Sequence, residues 1–316
     1  MTERGVPVAA GPVVPAPGPH GGDADRLARA LGVGIESILD LSVSTNPCAP
    51  DVASFVSRHA ASVHRYPDAS AATAELASVL GVAPERVVLT NGGAEAIALV
   101  AAELPVGAVA EEEFSLYARH LAALDDRAPR WRSNPNNPTG RLADDGDRAG
   151  VWDEAFFALA TGRWTRGDAD RGAVVVGSLT KLFACPGLRI GYIVAPDPAL
   201  AARVAARQPE WSVSALATAL VPELLSLAAL DTWSAEIAQL RAALVALLHA
   251  HGASADPSDA CFVLIRHAPG LREHLGRRGV LVRDTSSFGI PDGVRLGVPS
   301  ERGLETVRTA IEGWGP

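Results

Sequence analysis

Short blocks of apolar residues alternate with polar segments along the first two thirds of the chain. Apolar, β-branched runs predict strands at 38–43, 86–90, 106–110, 150–153, 173–177 and 188–194. Helical spacing of apolar residues predicts helices at 23–31, 70–80 and 94–103. Because strands that alternate with helices are typical of a parallel sheet covered on both faces, we predict an α/β fold with a mainly parallel sheet.

The pattern changes after about residue 230, where one long amphipathic helix precedes a series of short strands. The helix is predicted at 232–251, the strands at 261–266, 280–283 and 294–298, and a last helix at 301–312. We therefore predict a large domain over residues 41–230 and a small α+β domain formed by 20–40 with 231–316. Prolines interrupt residues 1–19 so often that we predict a disordered tail there.

Composition excludes several classes of function. The net charge of −8 argues against nucleic acid or an anionic membrane as the main partner. No apolar run reaches the roughly 18 residues that a membrane span needs, and the first residues lack the apolar stretch of a signal peptide. The three cysteines lie far apart, so we expect neither a disulfide framework nor a metal site. We expect a cytoplasmic enzyme that acts on a small molecule.

One lysine stands out in this composition. Of the 28 lysine and arginine residues, only Lys181 is a lysine. Arginine replaces lysine easily in surface ion pairs, whereas a guanidinium cannot serve as an amine nucleophile. Retention by chance is the alternative, and the neighbouring residues decide between the two. Ser178, Thr180 and Arg189 offer two hydroxyls and a guanidinium near the amine, which suits an aldehyde that also carries a phosphate.

Two further motifs extend this chemistry. The turn Asn91-Gly92-Gly93-Ala94 leads into a predicted helix, whose free N–H groups and dipole favour a phosphate. Asp153 follows a predicted strand, where an aspartate can pair with a protonated pyridine nitrogen. The same aspartate can also be a simple helix cap.

Taken in order, the motifs resemble those of the fold-type I pyridoxal-phosphate enzymes. The motifs are Y-P-D, N-G-G-A-E, F-S-L-Y, N-P-N-N-P-T-G, D-E-A-F, S-L-T-K and P-G-L-R-I-G-Y, and they cover nearly the whole chain after residue 19. The resemblance implies a large domain with a mainly parallel seven-stranded sheet, which this shorter chain could have trimmed, and a small α+β domain. It also implies pyridoxal 5'-phosphate as the cofactor.

The resemblance assigns roles to individual residues. Lys181 would bind the cofactor covalently and later move protons, Asp153 would pair with the pyridine nitrogen, and Asn137 with the ring 3′ oxygen. Tyr117 would stack on the ring. The residues that would hold the phosphate are Gly93, Ala94, Ser178, Thr180 and Arg189. Tyr66 would reach the phosphate of the neighbouring subunit's cofactor, which implies a homodimer with shared active sites.

Finer motifs favour one branch of this family. His20-Gly21-Gly22 and the segment 41–47 resemble the opening of threonine-phosphate decarboxylases of cobalamin biosynthesis. Histidinol-phosphate aminotransferases share the cofactor motifs but usually carry a tyrosine at position 156, where this chain has Phe156. The shortening falls before Val106, between Tyr117 and Asn134, and around 141–150, which leaves the completeness of the sheet and the position of Tyr117 open.

The resemblance also suggests a substrate with two anionic groups. Arg295 matches the position that binds the α-carboxylate, and Arg283, with His20 and Asn46, is the candidate for a substrate phosphate. Structural ion pairs are the alternative for both arginines. The favoured hypothesis is decarboxylation of L-threonine O-3-phosphate to (R)-1-amino-2-propanol phosphate. An aminotransferase acting on an anionic amino acid is the second hypothesis, and a repurposed or non-catalytic cofactor-binding protein is the third.

Overall fold

Twelve strands and twelve α-helices make up the described part of the chain, residues 13–315 of a computed structural model. The strands are β1 (Leu39–Asp40), β2 (Val87–Asn91), β3 (Val106–Val109), β4 (Ala123–Leu124), β5 (Arg130–Ser133), β6 (Val151–Asp153), β7 (Val174–Ser178), β8 (Ile190–Val194), β9 (Phe262–Ile265), β10 (Val280–Leu281), β11 (Arg283–Asp284) and β12 (Val294–Gly297). The helices are α1 (Ala24–Leu31), α2 (Val52–His59), α3 (Ser70–Leu80), α4 (Gly93–Glu103), α5 (Leu116–His120), α6 (Phe157–Thr161), α7 (Leu179–Leu182), α8 (Pro198–Ala205), α9 (Ala215–Ser226), α10 (Leu230–Ala250), α11 (Leu271–Gly276) and α12 (Glu301–Ile311).

The central sheet has seven strands in the order β2-β8-β7-β6-β5-β3-β4. Strand β8 runs antiparallel to β2 and to β7, and the other pairs in the sheet are parallel. This arrangement confirms the predicted α/β fold with a mainly parallel seven-stranded sheet. The shorter chain has not trimmed the sheet: the outermost strand, β4, is only two residues long and pairs with Val106 and Gly107 of β3.

Helices cover both faces of this sheet, so its central strands are buried on both sides. All five residues of β7 and of β8 are buried. Along β7, Val175 packs into the core beneath α3 and α9, whereas Val174 and Val176 pack into the core beneath α4 and α8. This alternation follows from the two-residue repeat of side-chain direction in a strand. The buried β7 and β8 therefore form a rigid platform for the residues at their ends.

Two smaller sheets belong to the remaining part of the fold. Strand β1 pairs in parallel with β10, and β11, β12 and β9 form an antiparallel sheet. Helices α10, α11 and α12 pack on these strands around buried leucine and valine side chains. The C-terminal segment is thus α+β, as predicted. The domain boundaries at residues 40 and 230 stay a prediction.

Most of the tail predicted at 1–19 lies outside the described residues. Residues 13–19 have no helix or strand, yet they contact the small sheets. Val14 is buried against Leu27 and Leu281, and the guanidinium of Arg272 donates a 2.7 Å hydrogen bond to the Pro15 carbonyl. These contacts hold the segment that leads to His20.

Two of the predicted strands differ from the prediction: one is shorter and the other is divided. The strand expected over 38–43 is only β1, because the Asp40 carboxylate accepts hydrogen bonds from the backbone N–H and the hydroxyl of Ser42. The strand expected over 280–283 divides at Val282 into β10 and β11, which pair with different partners. Both breaks lie beside the cavity described below.

The length and apolar character of the helices bear on whether any of them could span a membrane. Among residues 13–315, no single helix is both long and apolar enough to cross a bilayer, although the bent pair α9 and α10 passes on length and composition when the two are taken together.

Candidate active site

Most of the predicted site residues line one cavity of about 220 Å³ beside Lys181. The cavity lies where the ends of β6 and β7 meet β11 and β12. The predicted residues that line it are His20, Gly93, Ala94, Asn137, Asp153, Ser178, Thr180, Lys181, Arg189, Arg283 and Arg295. Asn46, Tyr66 and Tyr117 are not among the lining residues. Segments far apart in sequence thus converge on the single lysine.

Lys181 lies in α7, directly after the buried strand β7. Its Nζ donates a 2.8 Å hydrogen bond to the Val43 carbonyl. Burial, together with the positive charge of Arg295, lowers the pKa of Lys181 from 10.5 to about 8. A larger share of neutral amine is therefore present near neutral pH than on an exposed lysine. A neutral amine is the form that attacks an aldehyde.

The donors around the start of α4 form a cradle for a phosphate. Helix α4 begins at Gly93, so the backbone N–H groups of its first turn have no partner within the helix. The hydroxyls of Ser178 and Thr180 lie 2.7 Å apart at the same place. Arg189 adopts a φ of +54° and brings its guanidinium beside Gly92, where a Cβ would overlap it. Two hydroxyls, a helix N-terminus and a guanidinium are the donor set that a phosphate requires.

Asp153 lies at the end of β6 and supplies an acceptor to the same cavity. Its Oδ1 accepts a 2.9 Å hydrogen bond from the Ala155 N–H, and its Oδ2 accepts a 2.8 Å hydrogen bond from the Tyr117 hydroxyl. Burial raises the pKa of Asp153, whereas these hydrogen bonds and the charge of Lys181 oppose the rise. Such a carboxylate suits a protonated pyridine nitrogen. The cradle and this acceptor together match the two polar ends of pyridoxal phosphate.

Tyr117 does not occupy the stacking position that the resemblance implies. The side chain is 1% exposed, and its ring packs against Trp131 with the ring centroids 5.9 Å apart. Phe114 and Leu116 line the cavity instead. The reason is that α5 packs its Tyr117 side into the core beneath α4, which leaves the phenol behind Asp153. Tyr117 therefore supports the aspartate rather than the face of a ring.

Asn46 is also placed differently from the prediction. Its amide nitrogen donates a 2.9 Å hydrogen bond to the Leu182 carbonyl, and its amide oxygen accepts one from the Cys48 N–H. Its own N–H donates to the Lys181 carbonyl. Because both ends of the amide are used, Asn46 holds helix α7 in place and does not face a substrate.

Arg283 and Arg295 lie opposite each other on β11 and β12. They are 4% and 5% exposed, and among residues 13–315 neither has a carboxylate within 4.0 Å. Arg283 donates to the Pro19 carbonyl at 2.6 Å and to the Ser287 hydroxyl at 2.8 Å. Burial lowers the pKa of Arg295 to about 9, and Arg283 contributes to the decrease. Two buried cations therefore face the cavity without a counter-ion from the described chain.

Asn137 and His20 complete the polar lining. Arg295 donates from Nη1 to the Asn137 side-chain oxygen, and since a guanidinium can only donate, the NH₂ group of Asn137 is left to donate elsewhere. The Nδ1 atom of His20 is buried and has no hydrogen-bond partner among residues 13–315. Burial lowers the pKa of His20, as does the charge of Arg283. Each side chain thus keeps one polar atom for a bound molecule.

Tyr66 lies outside this chain's own cavity. The side chain is 78% exposed and packs on the exposed Trp211, with ring centroids 4.6 Å apart. Its predicted contact with a neighbouring subunit's cofactor stays a prediction.

Several lining residues carried too little signal for sequence reasoning to single them out for this role. Ser133 ends β5, which was not predicted because its R-W-R-S sequence lacks a β-branched run. Phe114 lies inside the F-S-L-Y motif, but its direction towards the cavity, like that of Phe288, depends on the packing of a short turn. The sequence singles out Phe156 only because histidinol-phosphate aminotransferases usually have a tyrosine there. In the structure Phe156 lines the cavity, with its ring centroid 5.9 Å from Lys181 Nζ.

Comparison with known proteins agrees with this geometry. The model of the family described as aminotransferase class I and II matches residues 111–312. The chain is 26% identical to histidinol-phosphate aminotransferase 1 of Dechloromonas aromatica, over 90% of this chain and 93% of that protein. It is 30% identical to threonine-phosphate decarboxylase of Salmonella typhimurium, over 63% of this chain and 67% of that protein.

A solved structure shows the same fold. Histidinol-phosphate aminotransferase from Sinorhizobium meliloti, in complex with pyridoxal 5'-phosphate, superposes with a TM-score of 0.79 at 16% identity, over 94% of each chain. The family match and the cavity's donor set agree on the cofactor. The chain belongs to the aminotransferase class I and II family and is an enzyme that depends on pyridoxal 5'-phosphate.

Proposed function

We propose that this enzyme decarboxylates L-threonine O-3-phosphate, or a similar amino acid with a second anion, to an amine phosphate. The observation that carries the proposal is the pair of buried guanidinium groups, Arg283 and Arg295, which open onto the cavity of Lys181. The resemblance of the His20 segment to threonine-phosphate decarboxylases supports the same substrate class.

The argument from Arg283 and Arg295 is electrostatic. Like charges directly opposite each other on an antiparallel ladder repel, and burial strengthens the repulsion. Without a carboxylate nearby, the pair is costly in the free protein. A molecule with two separated negative charges removes that cost when it binds. An α-carboxylate at Arg295 and a phosphate at Arg283 and His20 supply the two charges.

The cofactor and the chain divide the chemistry between them. When bound, pyridoxal phosphate would supply an electron sink for whichever Cα bond of the amino acid is aligned with it. Arg295 and Arg283 hold the amino acid at both ends, and this two-point attachment selects the Cα bond that takes that orientation. When the selected bond is the one to the carboxylate, CO₂ leaves, and the Lys181 ammonium supplies the proton that replaces it at Cα. Asp153, held by Tyr117, keeps a negative charge beside the ring nitrogen.

Phe156 favours decarboxylation over transamination. Its ring lines the cavity and packs edge-on against Phe262, with centroids 5.1 Å apart. It offers no hydroxyl where histidinol-phosphate aminotransferases usually have a tyrosine. Phe262 also lies under the Arg295 guanidinium, 4.7 Å from its centroid. Among these observations, the missing hydroxyl at position 156 is the one that supports decarboxylation.

Transamination is the second candidate, and a relative favours it. The similarity to a histidinol-phosphate aminotransferase extends over 90% of this chain. In that reaction the neutral amine of Lys181 would remove the Cα proton, and the same two arginines would hold the anionic substrate. The cofactor residues permit both outcomes, so the products distinguish them.

The enzyme is also proposed to act as a homodimer with shared active sites. The exposed pair Tyr66 and Trp211 supports this proposal, because large exposed aromatic side chains are typical of interfaces.

One incubation tests the proposed reaction. Purified protein with pyridoxal phosphate is given L-threonine O-3-phosphate, with and without 2-oxoglutarate as an amino acceptor, and CO₂ and keto acid are measured together. We expect CO₂ without keto acid, at a rate independent of the acceptor, and a loss of turnover in the Lys181→Ala variant as the control. Keto acid that requires the acceptor would indicate an aminotransferase. Neither product would indicate a repurposed enzyme for another amino acid, or a cofactor-binding protein without turnover.

A further inference from the structure

A buried carboxyl group lies behind the cavity. It belongs to Glu113, the last residue of the run Glu111-Glu112-Glu113. Glu113 is 4% exposed and does not line the cavity. A buried carboxyl group is costly unless hydrogen bonds use it, so its contacts indicate its role.

The contacts of Glu113 converge on Ser133. One carboxylate oxygen, Oε2, accepts a 2.6 Å hydrogen bond from the Ser133 hydroxyl and a 3.2 Å hydrogen bond from the Ser133 N–H. The other oxygen, Oε1, is buried and has no hydrogen-bond partner in the part of the chain that the structure describes. Ser133 ends strand β5 and lines the cavity.

Ser133 passes this constraint on to Asn137. Its Oγ accepts a 2.8 Å hydrogen bond from the Asn137 N–H. When Glu113 is ionised its carboxylate can only accept, so the serine proton points to Glu113 and the serine lone pairs are left for Asn137. The side-chain oxygen of Asn137 in turn accepts from Arg295. The NH₂ group of Asn137 donates to no acceptor among residues 13–315.

The segment that carries Glu113 is held from both sides. The Asn136 side chain donates a 3.1 Å hydrogen bond to the Glu112 carbonyl. The guanidinium of Arg266 binds both oxygens of the Glu112 carboxylate, at 2.7 and 2.8 Å, and also contacts Asp256. These contacts hold the backbone next to Glu113 in place.

We propose that Glu113 is a positioning residue of the active site. Through the Ser133 hydroxyl it fixes the backbone of Asn137. The Asn137 side chain is fixed with the backbone, so that its NH₂ group faces the cofactor and its oxygen accepts from Arg295. The inference rests on the proposed role of Asn137 as donor to the ring oxygen. The titratable groups that face Glu113 are Asp153, at the end of β6, and Tyr117, in α5.

The experiment uses the holoenzyme without substrate and follows the absorbance of the bound cofactor against pH. A donor to the ring oxygen stabilises its negative charge and lowers the pH midpoint of the absorbance change, so a weakened donor raises it. We expect Asn137→Ala to raise the midpoint by about one unit, and Glu113→Ala and Ser133→Ala by about half a unit. Glu113→Gln keeps an acceptor for Ser133 and is expected at the wild-type midpoint. Glu111→Ala, an exposed neighbour, is the matched control and is also expected there.

Each outcome decides a different claim. An unshifted midpoint in Asn137→Ala overturns the proposed role of Asn137 and this inference with it. A shift in Asn137→Ala but not in Ser133→Ala or Glu113→Ala overturns the role of Glu113 alone. An equal shift in Glu111→Ala also overturns it, because the cause would then be the loss of any nearby charge. If Glu113→Ala does not fold, the smaller change Ser133→Ala decides.

Discussion

The chemistry expected of Lys181 depends on the surroundings of its side chain. Burial and the Arg295 charge lower its pKa to about 8, and the Val43 carbonyl fixes its Nζ at 2.8 Å. Asn46 binds the backbone at this position: its N–H donates to the Lys181 carbonyl and its side-chain amide donates to the Leu182 carbonyl. The lysine is therefore positioned by hydrogen bonds to its side chain and to its backbone.

Glu113 gives a stability prediction at the same scale. Burial raises its pKa from 4.5 to about 7, so the folded protein binds its proton more tightly than the unfolded chain does. Stability from this group is complete below pH 4.5 and is lost as pH rises through 7. We expect Glu113→Gln to be more stable than wild type by about 3 kcal/mol at pH 8, an order-of-magnitude figure. Urea unfolding at several pH values measures the difference.

Unfolding of the two proteins below pH 4.5 serves as the control. Below pH 4.5 the carboxyl is protonated in both states, and the two proteins should unfold at the same urea concentration. A constant difference between pH 4 and pH 8 would mean that Glu113 does not titrate with folding.

At the scale of elements, the β11–β12 ladder is proposed to recognise the two ends of the substrate. Replacing Arg283 with methionine removes the contact with the phosphate, and charge-assisted hydrogen bonds of this kind are worth about 1.5–3 kcal/mol. We expect Arg283→Met to raise KM for L-threonine O-3-phosphate about 10- to 100-fold, with little change for L-threonine. Arg295→Met should raise KM for both compounds.

The apoenzyme gives an independent check of the same pair. Because Arg283 and Arg295 repel each other in the free protein, Arg283→Met should leave Tm unchanged or raise it. A large fall in Tm would show that Arg283 stabilises the fold, as a structural ion pair would.

The junction of β2 and α4 offers a second test at this scale. Gly92 has a φ of +80°, and a Cβ there would overlap the Arg189 guanidinium. We expect Gly92→Ala to weaken binding of pyridoxal phosphate at least tenfold in an absorbance titration, because Arg189 is displaced from the phosphate cradle. Gly81→Ala is the matched control, since Gly81 has a φ of +70° and open space around its Cβ position. Gly81→Ala should lose about 1 kcal/mol of stability, and Gly92→Ala should lose more, because φ +80° with ψ 166° is open essentially to glycine alone. Equal cofactor affinities of the two variants would refute the cradle.

Elements with a clear period were predicted well, and elements defined by packing were not. The helix expected at 70–80 is α3 without a change of bounds, because Gly81 ends it in a left-handed conformation. Helix α9 was missed, since its sequence is apolar on nearly every side and has a proline within it. Strand β4 was missed because its two residues carry no period at all.

At the scale of the whole molecule, the sequence located the cavity better than it oriented the side chains. Motif order was enough to bring eleven of the predicted residues to one cavity, because their spacing follows the ends of the strands. The direction of Tyr117 could not be predicted, since it depends on how the short α5 packs beneath α4. The shortening of the chain removed connections and left the seven-stranded sheet complete.

The proposed homodimer predicts complementation between two inactive variants. Lys181→Ala lacks the amine, and Tyr66→Ala lacks the aromatic side chain proposed to reach the partner's site. In a mixed dimer one site has both residues intact, so random mixing should restore about a quarter of wild-type activity. Activity is measured after the two variants are denatured and refolded together. No recovery would mean that Tyr66 serves its own subunit, and an active Tyr66→Ala variant would mean that it serves neither site.

The central claim is that the single lysine of the chain holds the cofactor. Holoenzyme reduced with borohydride, digested and analysed by mass spectrometry tests this directly, since the only other amine is the one at the start of the chain. We predict a phosphopyridoxyl group on the peptide that contains Lys181, and none in Lys181→Arg, which keeps the positive charge. An unmodified Lys181 peptide from cofactor-loaded protein would contradict the account.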